Sequence, residues 1–276
     1  KQAARRGIPV VYLFPPTAWA WRRGRAKTLA NLGVTIASVF PLEAETYRQA
    51  GADVRFVGHP LLDLVGPARH EEKKSAREDL GLDSQEVIGI LPGSRDQEIK
   101  QLLPVMLEAA SLIRQVRPGV ELLLPLSHTV SGDVVREYVG ESDLPVRIVS
   151  DAAHLCMAAS DVLIVASGTA TMEAAIVGTP MVVIYKTSTP TYFLARLLVD
   201  IPFISWPNIL MGKRIVPELL QDEAEPEGIA GLVLMMLENP SLSSEIRKNL
   251  AEARSKLGSP GALTRTARLI LEVARR

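Results

Sequence analysis

The chain has 276 residues, 47% of them apolar, with 31 basic and 31 acidic side chains and a formal net charge of zero. That length predicts one large or two ordinary domains, and the balanced charge gives no global case for nucleic-acid binding. A single cysteine, Cys156, excludes an intrachain disulfide and suits a reducing compartment, and no apolar run approaches the roughly 20 residues that cross a bilayer.

In chain order, Val10–Phe14 is an apolar run closed by Pro15-Pro16 and reads as a buried strand. A basic helix is predicted from Ala18 to Asn31, ended by Gly33, then a strand over Val34–Val39. A helix over Leu42–Ala50 stops at Gly51, and a strand over Val54–Val57 runs into Gly58-His59-Pro60. This βαβαβ grammar belongs to a doubly wound parallel sheet. Residues 1–66 are too short for an independent domain of that kind and read as its closing part. Residues 67–74 carry Gly, Pro and a charge run nearby and read as a linker. A second alternation fills 75–258, with strands near Val87–Leu91, Val120–Leu124, Val146–Val149, Val162–Val165 and Met181–Ile184. Helices are predicted over Gln97–Val116, Asp133–Val139, Ala152–Ala159, Thr171–Val177, Ile229–Glu238 and Leu242–Leu257. A last helix, within 259–276, is expected to pack back on the first domain. The fold class is α/β, two Rossmann-like parallel-sheet domains with the first incomplete.

Two strand-ending turns carry the chemistry. Pro92-Gly93-Ser94-Arg95 opens a helix: Gly93 permits close ligand approach, Ser94 can cap, and Arg95 can fork onto phosphate oxygens. Ser167-Gly168-Thr169-Ala170-Thr171 is the second, and its backbone and hydroxyls can cradle a phosphate. Glu173 follows in the next helix, where a carboxylate can accept from the vicinal hydroxyls of a ribose or serve its own helix N-terminus. Taken singly, each turn also reads as an ordinary strand-to-helix connection. Together in one sheet they fit a nucleotide-sugar, with Arg95 for the diphosphate and Glu173 for the ribose.

Asn208, in Trp206-Pro207-Asn208-Ile209-Leu210, is a lone amide among apolar residues. It needs partners, which a ligand or an Asx turn can supply. His59 ends the last strand before the linker and is expected near the interdomain cleft, as a structural residue more often than a catalytic one. Lys1, Arg5, Arg6, Arg22, Arg23, Arg25 and Lys27 all precede the first acid, Glu43. With Trp19 and Trp21 among them, these cations suit a lipid phosphate or membrane interface, or else a solvated helix face over a packed Trp pair. No paired His/Cys set, acidic loop pair or Walker lysine is present, so neither a metal nor another cofactor is expected.

Several of these elements resemble the lipid-A-disaccharide synthase family of bacterial GT-B glycosyltransferases. They are Phe14-Pro15-Pro16-Thr17-Ala18-Trp19-Ala20-Trp21-Arg22, Phe56-Val57-Gly58-His59-Pro60-Leu61-Leu62-Asp63, Leu91–Arg95 followed by Glu98-Ile99, Ala166–Glu173 and Trp206–Leu210. The resemblance covers the whole chain. It implies the GT-B fold and a metal-free, inverting transfer of 2,3-diacylglucosamine from its UDP derivative to 2,3-diacylglucosamine 1-phosphate (lipid X), giving lipid A disaccharide 1-phosphate and UDP. It implies that Gly93, Ser94, Arg95, Ser167, Gly168, Thr169, Glu173 and Asn208 serve the UDP donor, with Arg95 stabilising the leaving group. It puts Trp19, Trp21, Arg22, Arg23, Arg25 and His59 on the acceptor or membrane side. The implied setting is the cytoplasmic face of the inner membrane, on anionic lipid, with no nucleic acid and with room for a homodimer. The family's opening Gly-Glu-x-Ser-Gly-Asp segment and its Asp-x-Pro-x-Phe-Asn segment, with the proposed catalytic base, have no match here, so the general base is expected outside this chain. The alternatives are another UDP-sugar GT-B enzyme (a peptidoglycan N-acetylglucosaminyltransferase or a UDP-N-acetylglucosamine 2-epimerase) or a non-catalytic nucleotide-binding fragment.

Overall fold

The computed structural model describes residues 2–19, 24–83, 86–187 and 202–275. In chain order the elements are α1 (Gln2–Arg5), β1 (Val11–Leu13), α2 (Gly24–Asn31), β2 (Thr35–Ser38), α3 (Pro41–Gln49), β3 (Asp53–Phe56), α4 (Leu61–Leu64) and α5 (His70–Asp79). Next come β4 (Val87–Leu91), α6 (Asp96–Val116), β5 (Glu121–Leu126), α7 (Gly132–Glu141), β6 (Val146–Ser150), α8 (Ala153–Ala159), β7 (Val162–Ala166), α9 (Thr169–Val177) and β8 (Met181–Tyr185). The last are α10 (Trp206–Met211), β9 (Glu218–Leu220), α11 (Pro226–Glu238), α12 (Pro240–Ser255) and α13 (Ala262–Ala274). The described residues fall into two compact units, one running to Gly66 and resuming at Ala253, the other running from Pro67 to Glu252.

In the first unit β1, β2 and β3 form a parallel sheet in that order, with Tyr12 opposite Ile36 and Ile36 opposite Val54. The central strand β2 is buried along its whole length. Ile36 packs there with Ala18, Ala26 and Tyr47, and the Tyr47 hydroxyl donates to the Pro16 carbonyl at 2.9 Å. Helix α13 packs on β1, β2 and α4. Its start is fixed by Asp63, whose carboxylate accepts from the backbone N–H groups of Gly261 and Leu263. Those bonds, the Leu263 one foremost, hold the Asp63 carboxyl below the usual range.

The second unit carries a six-stranded parallel sheet in the order β6-β5-β4-β7-β8-β9. The chain starts at β4 in the middle, winds outward through β5 and β6, then returns to β7 and winds the other way. The reversal between β4 and β7 is the topological switch point where doubly wound sheets bind ligands beyond the carboxyl ends of their strands. Both β4 and β7 are buried at every residue. That is why each reads as an unbroken apolar run rather than an alternating one: helices cover both faces.

Residues 67–74 are not simply a linker. From His70 they enter α5, which packs on α8. Only Ala76 of this helix is fully buried, so it has no apolar stripe to announce it. It is anchored instead by Lys73 and Arg77, one turn apart on a single face, whose side chains reach Asp161 at 2.5 and 2.7 Å. Helix α2 starts at Gly24, later than the predicted Ala18, where Ala18 and Trp19 form a turn. Among the described residues no helix is long and apolar enough to cross a membrane.

Candidate functional site

At the carboxyl ends of β4, β5, β6 and β7 the second unit opens a cavity of about 870 Å³. Leu91, Pro125, Leu126, Leu155 and Met157 form its apolar wall. The polar groups that converge on it include Ser94, Arg95, Glu98, His128, Asp151, His154, Ser167, Thr169 and Glu173. An apolar concavity with a few placed polar groups, at the switch point of the sheet, is the form a nucleotide-sized site takes.

Seven of the eight donor-side residues expected from sequence line this cavity: Gly93, Ser94, Arg95, Ser167, Gly168, Thr169 and Glu173. The amino-terminal ends of α6 and α9 both start at its rim, so two sets of helix N–H groups and two positive dipole ends face the same space. Gly93 has φ +117°, and a Cβ there would collide with the Glu98 side chain. No other residue fits that turn without strain.

Ser94 does not cap α6, because the N-cap position belongs to Arg95. The Ser94 backbone N–H instead donates to Glu98 Oε2 at 2.9 Å, and Arg95 Nη1 donates to Glu98 Oε1 at 2.7 Å. Arg95, assigned to a diphosphate, and the neighbouring Ser94 N–H are thus already engaged by an internal carboxylate. Across the rim, Thr129 Oγ1 donates to the Ser94 carbonyl at 2.7 Å and ties the loop after β5 to this turn.

The second turn is braced from behind. Ser167 Oγ donates to the Ile204 carbonyl at 3.0 Å, and the Trp206 N–H donates to Thr171 Oγ1 at 3.3 Å. Segment 204–208 is fixed in turn by Glu218, which is 2% exposed. Its carboxylate accepts from the backbone N–H groups of Ile204 and Ser205, from Ser205 Oγ and from Asn208 Nδ2. This corrects the expected donor contact of Asn208. Its side chain is fully buried: Nδ2 donates to Val216 O and Glu218, while Oδ1 accepts from the N–H groups of Ile215 and Val216. All four hydrogen-bonding positions of the amide are taken, so Asn208 holds the chain behind the second turn and does not line the cavity.

His59 takes the structural one of its two expected roles. It is 6% exposed, packed on the Phe14 and Phe40 rings, and its Nδ1 accepts from the Leu61 N–H. Burial pushes its pKa down to about 4, leaving a neutral packing residue of the first unit, which is the structural role and not the catalytic one. Trp19 is half-buried and Arg25 is half-exposed on α2, whereas Trp21, Arg22 and Arg23 lie outside the described residues. Cys156 is buried, and burial pushes its thiol up to about 12, so it is no nucleophile.

His128, Asp151 and His154 are cavity residues that the motifs did not point to, and Glu98, quoted only for the family likeness, joins them. Each sits just past the end of a strand or in the first turn of the following helix. The position rule for parallel sheets, applied to every strand, finds them. Among the described residues no cluster of three or more His, Cys, Asp or Glu is placed to hold a metal ion.

Sequence comparison then fixes the family. A sequence model of the family described as "Lipid-A-disaccharide synthetase" matches residues 1–273. The chain belongs to that family. It is 40% identical over 281 residues to the lipid-A-disaccharide synthase of Syntrophus aciditrophicus, covering 100% of this chain and 72% of that protein. It is 41% identical over 274 residues to the synthase of Trichlorobacter lovleyi, covering 99% and 71%. Among solved structures, S. aureus MnaA with UDP aligns with TM-score 0.65 at 12% identity, covering 97% of this chain and 70% of that one. The UDP-GlcNAc 2-epimerase of Neisseria meningitidis bound to UDP-GlcNAc aligns with TM-score 0.61 at 15% identity, covering 98% and 71%. At such identities these neighbours speak for the fold, which is GT-B. Membership favours a glycosyltransferase of lipid A biosynthesis over the peptidoglycan transferase and the epimerase.

Proposed function

We propose that the cavity of the second unit holds the UDP part of UDP-2,3-diacylglucosamine and that lipid X is the acceptor. The observation that carries this is the convergence of Arg95, Glu173 and two helix amino termini on one cavity at the switch point. In the reaction the acceptor 6-hydroxyl attacks the donor anomeric carbon, the bond to the β-phosphate oxygen breaks with inversion, and a general base takes the hydroxyl proton. Negative charge grows on the departing UDP. The Arg95 guanidinium, once it leaves Glu98, and the free N–H groups of the two helix starts would stabilise that charge.

Titration of the chain with UDP by calorimetry tests the donor site. Binding is expected with a chelator present, since guanidinium and N–H groups supply the positive field. If the chelator abolishes binding, a metal is needed and the reading is wrong.

Membrane attachment and cytoplasmic location belong to the same proposal. The cations that precede Glu43 would draw the protein to anionic lipid, each worth up to about 1 kcal/mol near the surface and less as salt rises. Replacing Arg22, Arg23 and Arg25 with Gln should lower co-sedimentation with phosphatidylglycerol vesicles at low salt, leaving UDP affinity unchanged. Equal sedimentation of both proteins would overturn a membrane role for these arginines. A homodimer fits the proposal and is read from the elution volume of the purified protein.

A further inference from the structure

His154 has no part in the donor contacts assigned above. It is the second residue of α8, Glu173 is the fifth of α9, and these two helices pack together. His154 Nε2 lies 3.4 Å from Glu173 Oε2, and both side chains line the cavity. The imidazole is about half exposed, at 48%, and the carboxylate 21%. A pair this open to water adds little to folding, so stability does not account for it. Its geometry has another consequence. Held by the ring at one oxygen, the carboxylate keeps Oε1 for a hydroxyl ligand.

We propose that His154 is a positioning residue whose ring N–H fixes the Glu173 carboxylate in the orientation that accepts the vicinal hydroxyls of the donor's ribose. The inference rests on the UDP reading of the cavity. Glu173 turns freely about its side-chain torsions unless something holds it, and freezing it costs part of the binding energy. A carboxylate fixed before the ligand arrives avoids that cost. The hydrogen bond to Glu173 also raises the His154 pKa above the ordinary imidazole value, which strengthens the donor.

The test uses the whole chain and two ligands, UDP and 2′,3′-dideoxy-UDP. His154→Phe should weaken UDP about three- to tenfold and leave the dideoxy ligand within about twofold, the range for one side chain losing its preorganisation. His154→Gln, which keeps an N–H donor, should recover most of the loss. A purely structural His154 would move both ligands together, so equal weakening overturns the proposal, as does no weakening of either. Glu173→Gln is measured alongside and should by itself discriminate against the ligand with hydroxyls. If it treats both ligands alike, the ribose reading fails and takes this inference with it. If it discriminates and His154→Phe does not, only the positioning role fails.

Discussion

Arg95→Ala is expected to weaken UDP binding by about 1.5–3 kcal/mol, the range for a hydrogen bond to a charged group, and to leave uridine binding nearly unchanged. In the free protein the guanidinium is 79% exposed and paired to Glu98. A pair so open to water contributes little to stability, so the variant should fold normally and the loss should fall on the ligand. The same assay has an internal contrast. Glu98 occupies both the Ser94 N–H and Arg95 Nη1, the two donors that a phosphate would take. Every diphosphate that binds there must displace a carboxylate of like charge. Glu98→Gln keeps the shape, removes the charge and should tighten UDP several-fold. Opposite signs for these two substitutions identify an anion site. Equal losses of UDP and uridine on Arg95→Ala would remove Arg95 from the diphosphate.

The readable parts of this chain were those with local causes. Strands β4, β7 and β8 announced themselves as apolar runs because both sheet faces are covered, and glycine turns marked where β4 and β7 end. The position of the cavity followed from those turns once both lay in one sheet. The misread parts have partners far along the chain. Helix α5 is a charge run whose anchor, Asp161, lies 88 residues from Lys73. His154 meets a carboxylate on another helix, and periodicity carries no trace of such a pairing. His59 has the structural role favoured for a lone histidine, but the Phe14 and Phe40 rings that pack on it come from other parts of the chain. For Asn208 the premise was right and the partner wrong. A buried amide does need four bonds, and the chain supplies them from Ile215, Val216 and Glu218.

That network sets the largest stability effect we expect. Glu218→Ala should destabilise the second unit by about 3–5 kcal/mol, the cost of orphaning several buried hydrogen-bond donors at once. Glu218 is 2% exposed, and its carboxylate accepts from Ile204 N at 3.1 Å, Ser205 N at 2.9 Å, Ser205 Oγ at 2.5 Å and Asn208 Nδ2 at 2.7 Å. Alanine leaves these donors without an acceptor where Ser205 and Asn208 are fully buried, at about 1–3 kcal/mol for each orphaned group. Asn208 and the Ser205 hydroxyl can recover part of that by turning to other partners, which keeps the total below the simple sum. Glu218→Gln retains one carbonyl acceptor and should fall between. The damage should reach the donor site by a defined route, because Ile204 O receives the Ser167 hydroxyl and Trp206 N–H bonds Thr171 Oγ1. UDP affinity should therefore fall in the fraction that remains folded, although Glu218 does not line the cavity. Urea unfolding measures the stability loss, and calorimetry well below the unfolding midpoint measures the affinity. A stability loss under about 1 kcal/mol would mean that water replaces the carboxylate. An unchanged affinity would mean that the second turn keeps its shape without this brace.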